Sequence, residues 1–187
     1  MLKSFLQYIF WDRNQIGTSY DDELHYQCSR VLPLASFLGM FIWLGYIKVD
    51  GQLTPGEPAI VYMRIGLTVA SLTVFLLQFV PALRHKSMYL LSALGLYLVG
   101  ATGVITGLAK ADHVYMGGYM FVLMIPIVAP LRKYIILFIM TFSLSCFFII
   151  GFSKGMKIVT IRDSYVMNDL AATIIFAYSM IFVLDRI

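Results

Sequence analysis

Six long apolar segments, separated by short polar stretches, dominate the pattern of this 187-residue chain. A transmembrane helix needs about 20 mostly apolar residues to cross the hydrocarbon core of a bilayer. No alternating strand pattern accompanies the segments, so we expect an all-α membrane protein, a six-transmembrane-helix bundle with short loops. The predicted spans cover residues 31–47, 59–80, 87–108, 114–130, 134–152 and 170–184.

The first 30 residues are predicted to form a separate N-terminal segment. Apolar residues recur there at helical spacing, which is typical of a helix lying in the membrane interface. They are Leu2, Phe5, Leu6, Ile9 and Phe10. Residues 12–30 are polar, and the acidic run Asp21, Asp22 and Glu23 favours the N-terminus of a helix. We therefore divide the chain into a cytoplasmic interfacial segment, 1–30, and a transmembrane domain, 31–187.

The composition supports lipid as the solvent for most of the chain. Hydrophobic residues make up 60% and charged residues only 13%, whereas soluble domains are roughly 25% charged. The net charge of +4 comes from basic residues scattered at predicted helix ends. That distribution favours anchoring at the membrane interface over nucleic-acid binding. Cys28 and Cys146 fall at different predicted depths and are expected to be free thiols.

The basic residues also predict a topology. With six spans both termini share one side, which carries eight of the fourteen Lys and Arg residues. The short turns around Arg84/Lys86 and Arg132/Lys133 carry four of these eight residues and are the firmer evidence, because they lie close to span ends. Because short cytoplasmic loops are enriched in Lys and Arg, both termini are predicted to lie in the cytoplasm.

A polar turn with the adjacent residues Asp112 and His113 lies between the third and fourth predicted spans, opposite the termini. Four other carboxylates are predicted on that side: Asp50, Glu57, Asp163 and Asp169. Carboxylate and imidazole are ligand types that divalent cations accept, so Asp112 and His113 are candidate metal ligands. The alternative is a solvated turn in which Asp112 caps the fourth helix and Asp169 caps the sixth.

Arg64 is predicted to lie about one turn inside the second span, where an unpaired charge is costly. Asp169, at the outer end of the sixth span, is the expected partner. The pair is either a structural clamp or a link between an outer ligand and the sixth helix. Together with Asp112, His113 and Tyr115, these two residues form the set that we expect to sense a ligand or signal.

The histidines offer a second cofactor, b-type haem. His25 and His85 are both predicted on the cytoplasmic side, so a bis-histidine site would use that pair. The alternative function is then a haem-binding redox sensor of the same architecture. A small membrane carrier is the third interpretation. It is less favoured because carriers place polar residues or broken helices at mid-membrane, and only Pro126 with Pro130 suggests a break.

The third predicted span carries Gly100, and Gly103 with Gly107 forms a small-xxx-small pair. Small residues at this spacing allow two membrane helices to approach closely. The contact is expected inside one bundle, with a dimer interface as the alternative.

Four features form a recognisable set along the chain. They are Arg64 early in the second span, the segment HVYMGGYMFVLM (113–124) opening the fourth, the basic turn LRKY (131–134), and the exit LDRI (184–187). With these features the six-span layout resembles the membrane domains that precede bacterial class III adenylyl cyclases, and those of related histidine kinases and diguanylate cyclases.

The resemblance implies a homodimer in the bacterial inner membrane, because class III catalytic sites form between two protomers. It implies that a catalytic domain follows the sixth helix, so that this chain is itself a sensor and anchor and not the enzyme. It also implies a signal, either a small-molecule or lipid ligand or a cation near the outer rim. Asp112 and His113 are the positions that best match such a rim site.

Overall fold

The computed structural model describes residues 19–84 and 86–184, which form seven helices and no strand. The predicted interfacial helix, His85 and the last three residues lie outside this range. The helices are α1 (Tyr20–Leu53), α2 (Pro58–Leu77), α3 (Pro81–Arg84), α4 (Ser87–Leu108), α5 (His113–Val128), α6 (Lys133–Ser153) and α7 (Ile161–Leu184). Each of the six predicted apolar segments lies largely within one of the long helices, which confirms the all-α class.

Five helices are long and apolar enough to cross a membrane, and α5 is shorter. Its 16 residues extend for about 24 Å at 1.5 Å per residue, less than the roughly 30 Å of a hydrocarbon core. The predicted span 114–130 is therefore too long at its C-terminal end. Pro126 lies in the last turn of α5, and Pro130 follows the helix, where its ring prevents continuation.

Helix α1 is much longer than its predicted span of 31–47. The Ser19 Oγ accepts a hydrogen bond from the Asp22 backbone N–H at 3.2 Å, and the acidic residues 21–23 occupy the first turn. This confirms the predicted helix start at the acidic run, since carboxylates are favoured at the positive end of the helix dipole. At the other end α1 continues to Leu53. Asp50 lies beyond the predicted span 31–47 and next to the helix breakers Gly51, Pro55 and Pro58, which predict a connector there, but it is helical.

The starts of α5 and α7 test the two predicted caps. Asp112 caps α5 as predicted, because its Oδ1 accepts from the Val114 N–H at 2.9 Å. The prediction for Asp169 is wrong, because α7 begins earlier, at Ile161. There Asp163 accepts from the backbone N–H groups of Val159 and Thr160, at 3.2 and 2.9 Å.

One ion pair lies at each end of the bundle and shows which helix ends are neighbours there. At the N-terminal end, where α1 starts, Arg132 Nη2 lies 2.6 Å from Asp21 Oδ1. At the opposite end, which we call the distal end, Lys154 Nζ lies 2.8 Å from Glu57 Oε1. These contacts join the first turn of α1 to the α5–α6 connector, and the α1–α2 connector to the end of α6. Successive long helices therefore run between the two ends in alternating directions.

Helix α4 is central and α7 is peripheral. Half of the apolar stretch of α4 is buried, against 17% in α7. Helix α4 packs on α1, α2, α5 and α6, whereas α7 packs mainly on α5. The predicted close approach of the third span is confirmed within the bundle, since Gly103 and Gly107 face the α6 backbone. The two cysteines are free thiols, as expected.

Candidate functional site

Helices α1 and α2 meet along a line of polar residues at heptad spacing. Such spacing keeps one face of each helix against its partner. Antiparallel packing pairs the residues in three layers: Ser36 with Gln78, Trp43 with Ser71, and Asp50 with Arg64. We call these six residues the polar seam. The seam crosses much of the bundle and ends near the distal end in a charged layer.

That charged layer is a buried ion pair. Arg64 Nε donates to Asp50 Oδ2 at 2.8 Å, and the two side chains are 6% and 2% exposed. Tyr115 of α5 donates its hydroxyl hydrogen to Asp50 Oδ1 at 2.9 Å. Both carboxylate oxygens are therefore used, and one acid connects α1, α2 and α5. We call Asp50, Arg64 and Tyr115 the buried ion-pair site.

Aromatic rings of α1 surround the guanidinium group. The Arg64 Cζ lies 5.1 Å from the ring centroid of Trp43 and 4.9 Å from that of Tyr46. The negative face of an aromatic ring attracts a cation, most strongly where water is excluded. Trp43, Tyr46 and Asp50 thus form a single face of α1 that accommodates Arg64.

The end of α1 supports the site from the distal side. Thr54 is the C-cap residue, and its Oγ1 donates to the backbone carbonyl oxygen of Asp50 at 2.9 Å. The same Oγ1 lies 3.3 Å from the Tyr115 hydroxyl oxygen. Thr54 thus donates to the Asp50 backbone and Tyr115 donates to its carboxylate, so the position of Asp50 is fixed from both its backbone and its side chain.

The sequence-based partner of Arg64 was wrong. Asp169 is exposed on α7, and the carboxylate that pairs with Arg64 is Asp50. The error follows from assigning Asp50 to a loop, because Gly51, Pro55 and Pro58 indicated a break. Tyr115, which belonged to the expected sensing set, does lie with Arg64.

A second feature at the distal end is a polar cavity of about 390 Å³. The α4–α5 turn and the first turns of α7 line it, and we call it the distal cavity. Its charged and imidazole-bearing residues are Lys110, Asp112, His113, Arg162 and Asp163. The structure thus brings Asp112 and His113 next to the start of α7. They lie apart from the buried ion-pair site, although α5 carries both features.

The geometry at Asp112 and His113 bears on the metal prediction. The His113 Nδ1 lies 3.6 Å from Asp112 Oδ1, and both side chains are about half exposed, at 49% and 48%. Among residues 19–84 and 86–184, no three His, Cys, Asp or Glu side chains converge as a metal site would require. The described residues therefore supply only a pair of ligands here, fewer than divalent cations usually take from a dedicated site.

The turn that borders the cavity holds an unusual backbone. Lys110 and Ala111 have φ values of 54° and 60°, in the left-handed region that L residues rarely occupy. The Lys110 N–H donates to the Gly107 carbonyl and the Ala111 N–H to the Thr106 carbonyl, at 2.9 and 3.0 Å. This is a Schellman ending in which Lys110 occupies the place usually taken by glycine.

The haem prediction falls partly outside the described residues. The ring of His25 lies 6.1 Å from that of Tyr89, measured between centroids. His85 is outside the described range, so the predicted His25–His85 pair stays a prediction.

Sequence reasoning missed Asp50, Trp43, Tyr46 and Thr54 as parts of one site. The sequence did contain a signal, because Ser36, Trp43 and Asp50 recur every seven residues on α1. Arg64 and Ser71 on α2 and its C-cap residue Gln78 have the same spacing. Matching heptads of polar residues on neighbouring helices would have paired Asp50 with Arg64.

No protein-family model, curated protein or solved structure matches the chain. Its class therefore rests on its own architecture: a multi-pass, all-α membrane bundle with a buried ion pair below a polar cavity at one end.

Proposed function

We propose that this chain is a membrane sensor and anchor domain that forms a homodimer and regulates a nucleotide cyclase domain following α7. The observation that supports the sensing role is the position of α5. This helix starts at the distal cavity, holds Tyr115 against Asp50, and packs on α7. One element thus contacts the solvent-facing site, the buried core and the helix that would carry the output.

A ligand in the distal cavity would contact the α4–α5 turn and the start of α7 together. The cavity offers cations at Lys110 and Arg162 and carboxylates at Asp112 and Asp163. We expect a small polar ligand with both donor and acceptor groups. Its effect on the α5–α7 arrangement is limited by the difference between its affinities for the two arrangements.

The buried ion-pair site would resist movement of α5 within the bundle. Any shift of α5 must stretch the Tyr115–Asp50 bond, whereas α7 has few other contacts to hold it in place. Peripheral elements with little buried surface move at the lowest cost. The signal would therefore appear mainly as a displacement of α7.

The dimer and the cyclase rest on the family resemblance. Class III sites form between two protomers, so a membrane domain that dimerises would raise cyclase activity at low protein density. We test this by joining residue 187 to a soluble class III catalytic domain and measuring cyclic AMP formation in dilute liposomes. The fusion should be active at densities at which the free catalytic domain is inactive.

Matched variants separate the anchor from the sensor. Tyr115→Phe should change the activity of the fusion, whereas Tyr62→Phe, at an exposed position on α2, should leave it unchanged. Equal activity of the fusion and the free domain would reject the dimeric anchor. Equal activity of the Tyr115→Phe and Tyr62→Phe variants would reject the relay through α5.

The proposed location is the bacterial inner membrane with both termini in the cytoplasm and the distal cavity outside. Single cysteines placed at Asp112 or Lys133, in a background lacking Cys28 and Cys146, test this orientation. A membrane-impermeant maleimide added to intact spheroplasts should label position 112 and not position 133. Labelling of position 133 alone would reverse the topology and remove the outer receptor face.

A further inference from the structure

The acids that line the distal cavity already have partners in the backbone. Asp112 Oδ1 accepts a hydrogen bond from the Val114 N–H at the start of α5, at 2.9 Å. Asp163 Oδ2 accepts from the Thr160 N–H at the start of α7, also at 2.9 Å. The free N–H groups and the positive dipole at each helix start therefore offset the charges of these two carboxylates.

The bases that line the same cavity lack such partners. Within residues 19–84 and 86–184, neither the Lys110 nor the Arg162 side chain makes a hydrogen bond or an ion pair. Arg162 acts on the Asp163 carboxylate only through its charge, without a direct bond. At the same end of the bundle Lys154 does have a partner, because its Nζ lies 2.8 Å from Glu57 Oε1.

A third base lies beside these two. Lys157 lines a smaller cavity that shares Lys110 and Asp163 with the distal cavity, and it also lacks a hydrogen bond or ion pair among the described residues. This region thus holds three bases, while the two acids of the distal cavity are bonded to helix ends. Such an excess of positive charge attracts anions.

The backbone of Lys110 indicates that its side chain has a role. Its φ value is 54°, at a helix end where glycine is the common residue. A lysine there holds a conformation that L residues rarely adopt, and such strain is found more often at binding sites than elsewhere. The residue that carries this strain is also one of the bases without a partner.

We propose that the distal cavity binds a phosphate group, whose oxygen atoms accept hydrogen bonds from Lys110 and Arg162. This assignment of the ligand rests on the sensing role proposed for the cavity. Charge-assisted bonds from lysine and arginine are the usual means of holding phosphate. The volume of about 390 Å³ is that of a small-molecule pocket, so the phosphate belongs to a larger molecule, either a soluble phosphate ester or a phospholipid.

NMR of the full chain in dodecyl maltoside micelles, which contain no phosphate, tests this site. The chain carries ¹⁵N-labelled arginine, and Arg162→Lys identifies the Nε–H signal of Arg162. Inorganic phosphate then replaces chloride at constant ionic strength. We expect a saturable shift of the Arg162 signal. The Arg64 signal should not shift, because Arg64 is buried in its ion pair with Asp50.

Replacement of Lys110 separates binding from folding. Lys110→Gly should weaken phosphate binding about tenfold or more, the effect of losing a charge-assisted hydrogen bond. Because glycine relieves the strained backbone, binding should fall without a loss of thermal stability, which is measured on the same sample. Lys48→Gln is the matched control and should bind phosphate as the wild type does, since Lys48 is exposed on α1 and lies outside the cavity.

Asp112→Asn tests the sign of the charge that the cavity accepts. Asparagine also caps helices, so α5 should keep its start while the cavity loses a negative charge. Phosphate binding should become severalfold tighter, because like charges repel. Weaker phosphate binding in this variant would contradict an anion site.

Two lipids distinguish the sources of the phosphate group. Phosphatidylglycerol or diacylglycerol, which lacks phosphate, is added to the micelles at the same mole fraction. If phosphatidylglycerol alone shifts the Arg162 signal and blocks the effect of inorganic phosphate, the ligand is a lipid head group. If inorganic phosphate still shifts the signal with either lipid, the ligand is a soluble phosphate.

The proposal is overturned if neither inorganic phosphate nor phosphatidylglycerol gives a saturable shift, or if Lys110→Gly and Lys48→Gln bind phosphate equally. These measurements need no cyclase domain, so the two proposals can fail separately. A fusion that responds to Tyr115→Phe in a chain that binds no phosphate would reject the ligand alone. Phosphate binding by a chain whose fusion is no more active than the free catalytic domain would reject the proposed function alone.

Discussion

Two helix pairs form the main interfaces of this bundle, and they are built in different ways. The α1–α2 pair is antiparallel and is joined by the layers of the polar seam, with charges at the distal layer. The α4–α6 pair is parallel and is joined by backbone contact. A Cβ on Gly103 would lie 2.6 Å from the Ser143 carbonyl oxygen, and one on Gly107 would lie 2.8 Å from the Phe147 carbonyl oxygen.

The two interfaces differ in the groups that a single substitution would leave without a partner. In the α4–α6 interface the polar groups are neutral and bonded, as in the Ser143 hydroxyl that donates to the Val99 carbonyl at 2.7 Å. Packing can relax there at moderate cost. In the charged layer of α1–α2, removing one partner leaves the other as an uncompensated buried charge. Substitutions in the first interface should therefore be tolerated better than substitutions in the charged layer of the second.

The largest expected effect is that of Asp50→Ala. This change leaves Arg64 unpaired and should lower the free energy of unfolding by about 3–5 kcal/mol, measured by detergent titration in bicelles. Asp169→Ala is the matched control, because Asp169 is exposed on α7 and should cost less than about 0.5 kcal/mol. If Asp50→Ala and Asp169→Ala lowered the free energy of unfolding equally, Asp169 would again be a candidate partner of Arg64.

Gly103→Ala should have the next largest effect. The new methyl group would meet the α6 backbone, and forcing extra volume into a packed core costs about 1–3 kcal/mol. Gly117→Ala provides the comparison, since no atom lies within 4 Å of a Cβ there. That variant should be neutral or slightly stabilising, because alanine favours the helix over glycine. A neutral Gly103→Ala would show that α4 and α6 are not in close backbone contact.

Tyr115→Phe tests the link from α5 to the charged layer. The loss of a buried hydrogen bond to a carboxylate should cost about 1.5 kcal/mol. Tyr178→Phe removes a hydroxyl–hydroxyl contact with Thr141 and should cost about 0.6 kcal/mol, a typical value for neutral bonds in membranes. If the two substitutions lower the free energy of unfolding by the same amount, the bond from Tyr115 to Asp50 is no stronger than a bond between neutral groups.

The smallest expected effect concerns the ends of α4 and α6. Both helices close with Schellman bonds. The position that usually holds glycine is occupied by Lys110 after α4 and by Gly155 after α6, with φ values of 54° and 80°. Since the left-handed conformation costs an L residue roughly 1–2 kcal/mol, Lys110→Gly should stabilise the protein by about 1 kcal/mol. Gly155→Ala should destabilise it by a similar amount. Thermal unfolding in detergent measures both, and a loss of stability in Lys110→Gly would contradict the assigned turn.

Much of the fold could be predicted because apolar length and acidic helix starts act locally. The six apolar segments, the helix start at Asp21 and the Asp112 cap all follow from neighbouring residues. The extent of α1 could not be predicted in this way. Its last turn tolerates Gly51 because Tyr115 and Arg64 hold the Asp50 side chain through bonds that form only in the folded bundle. Local breaker signals were therefore outweighed by tertiary contacts.

The sequence predicted some residues of the candidate site but not the contacts that join them. Arg64 and Tyr115 were expected to act together, but their common partner Asp50 was placed in a loop, and Asp112 with His113 proved to line a separate cavity. The homodimer, the cyclase, the metal and the haem depend on molecules or residues beyond those that the structure describes, and they stay predictions.

The central claim is that Asp50 and Arg64 form one energetic unit that joins α1, α2 and α5. A double-mutant cycle with Asp50→Asn, Arg64→Gln and the double variant measures this directly, from free energies of unfolding in bicelles. We predict a coupling energy of about 2 kcal/mol or more, with the double variant more stable than the sum of the single changes implies. A coupling energy below about 0.5 kcal/mol would mean that the two residues act independently and would contradict this account.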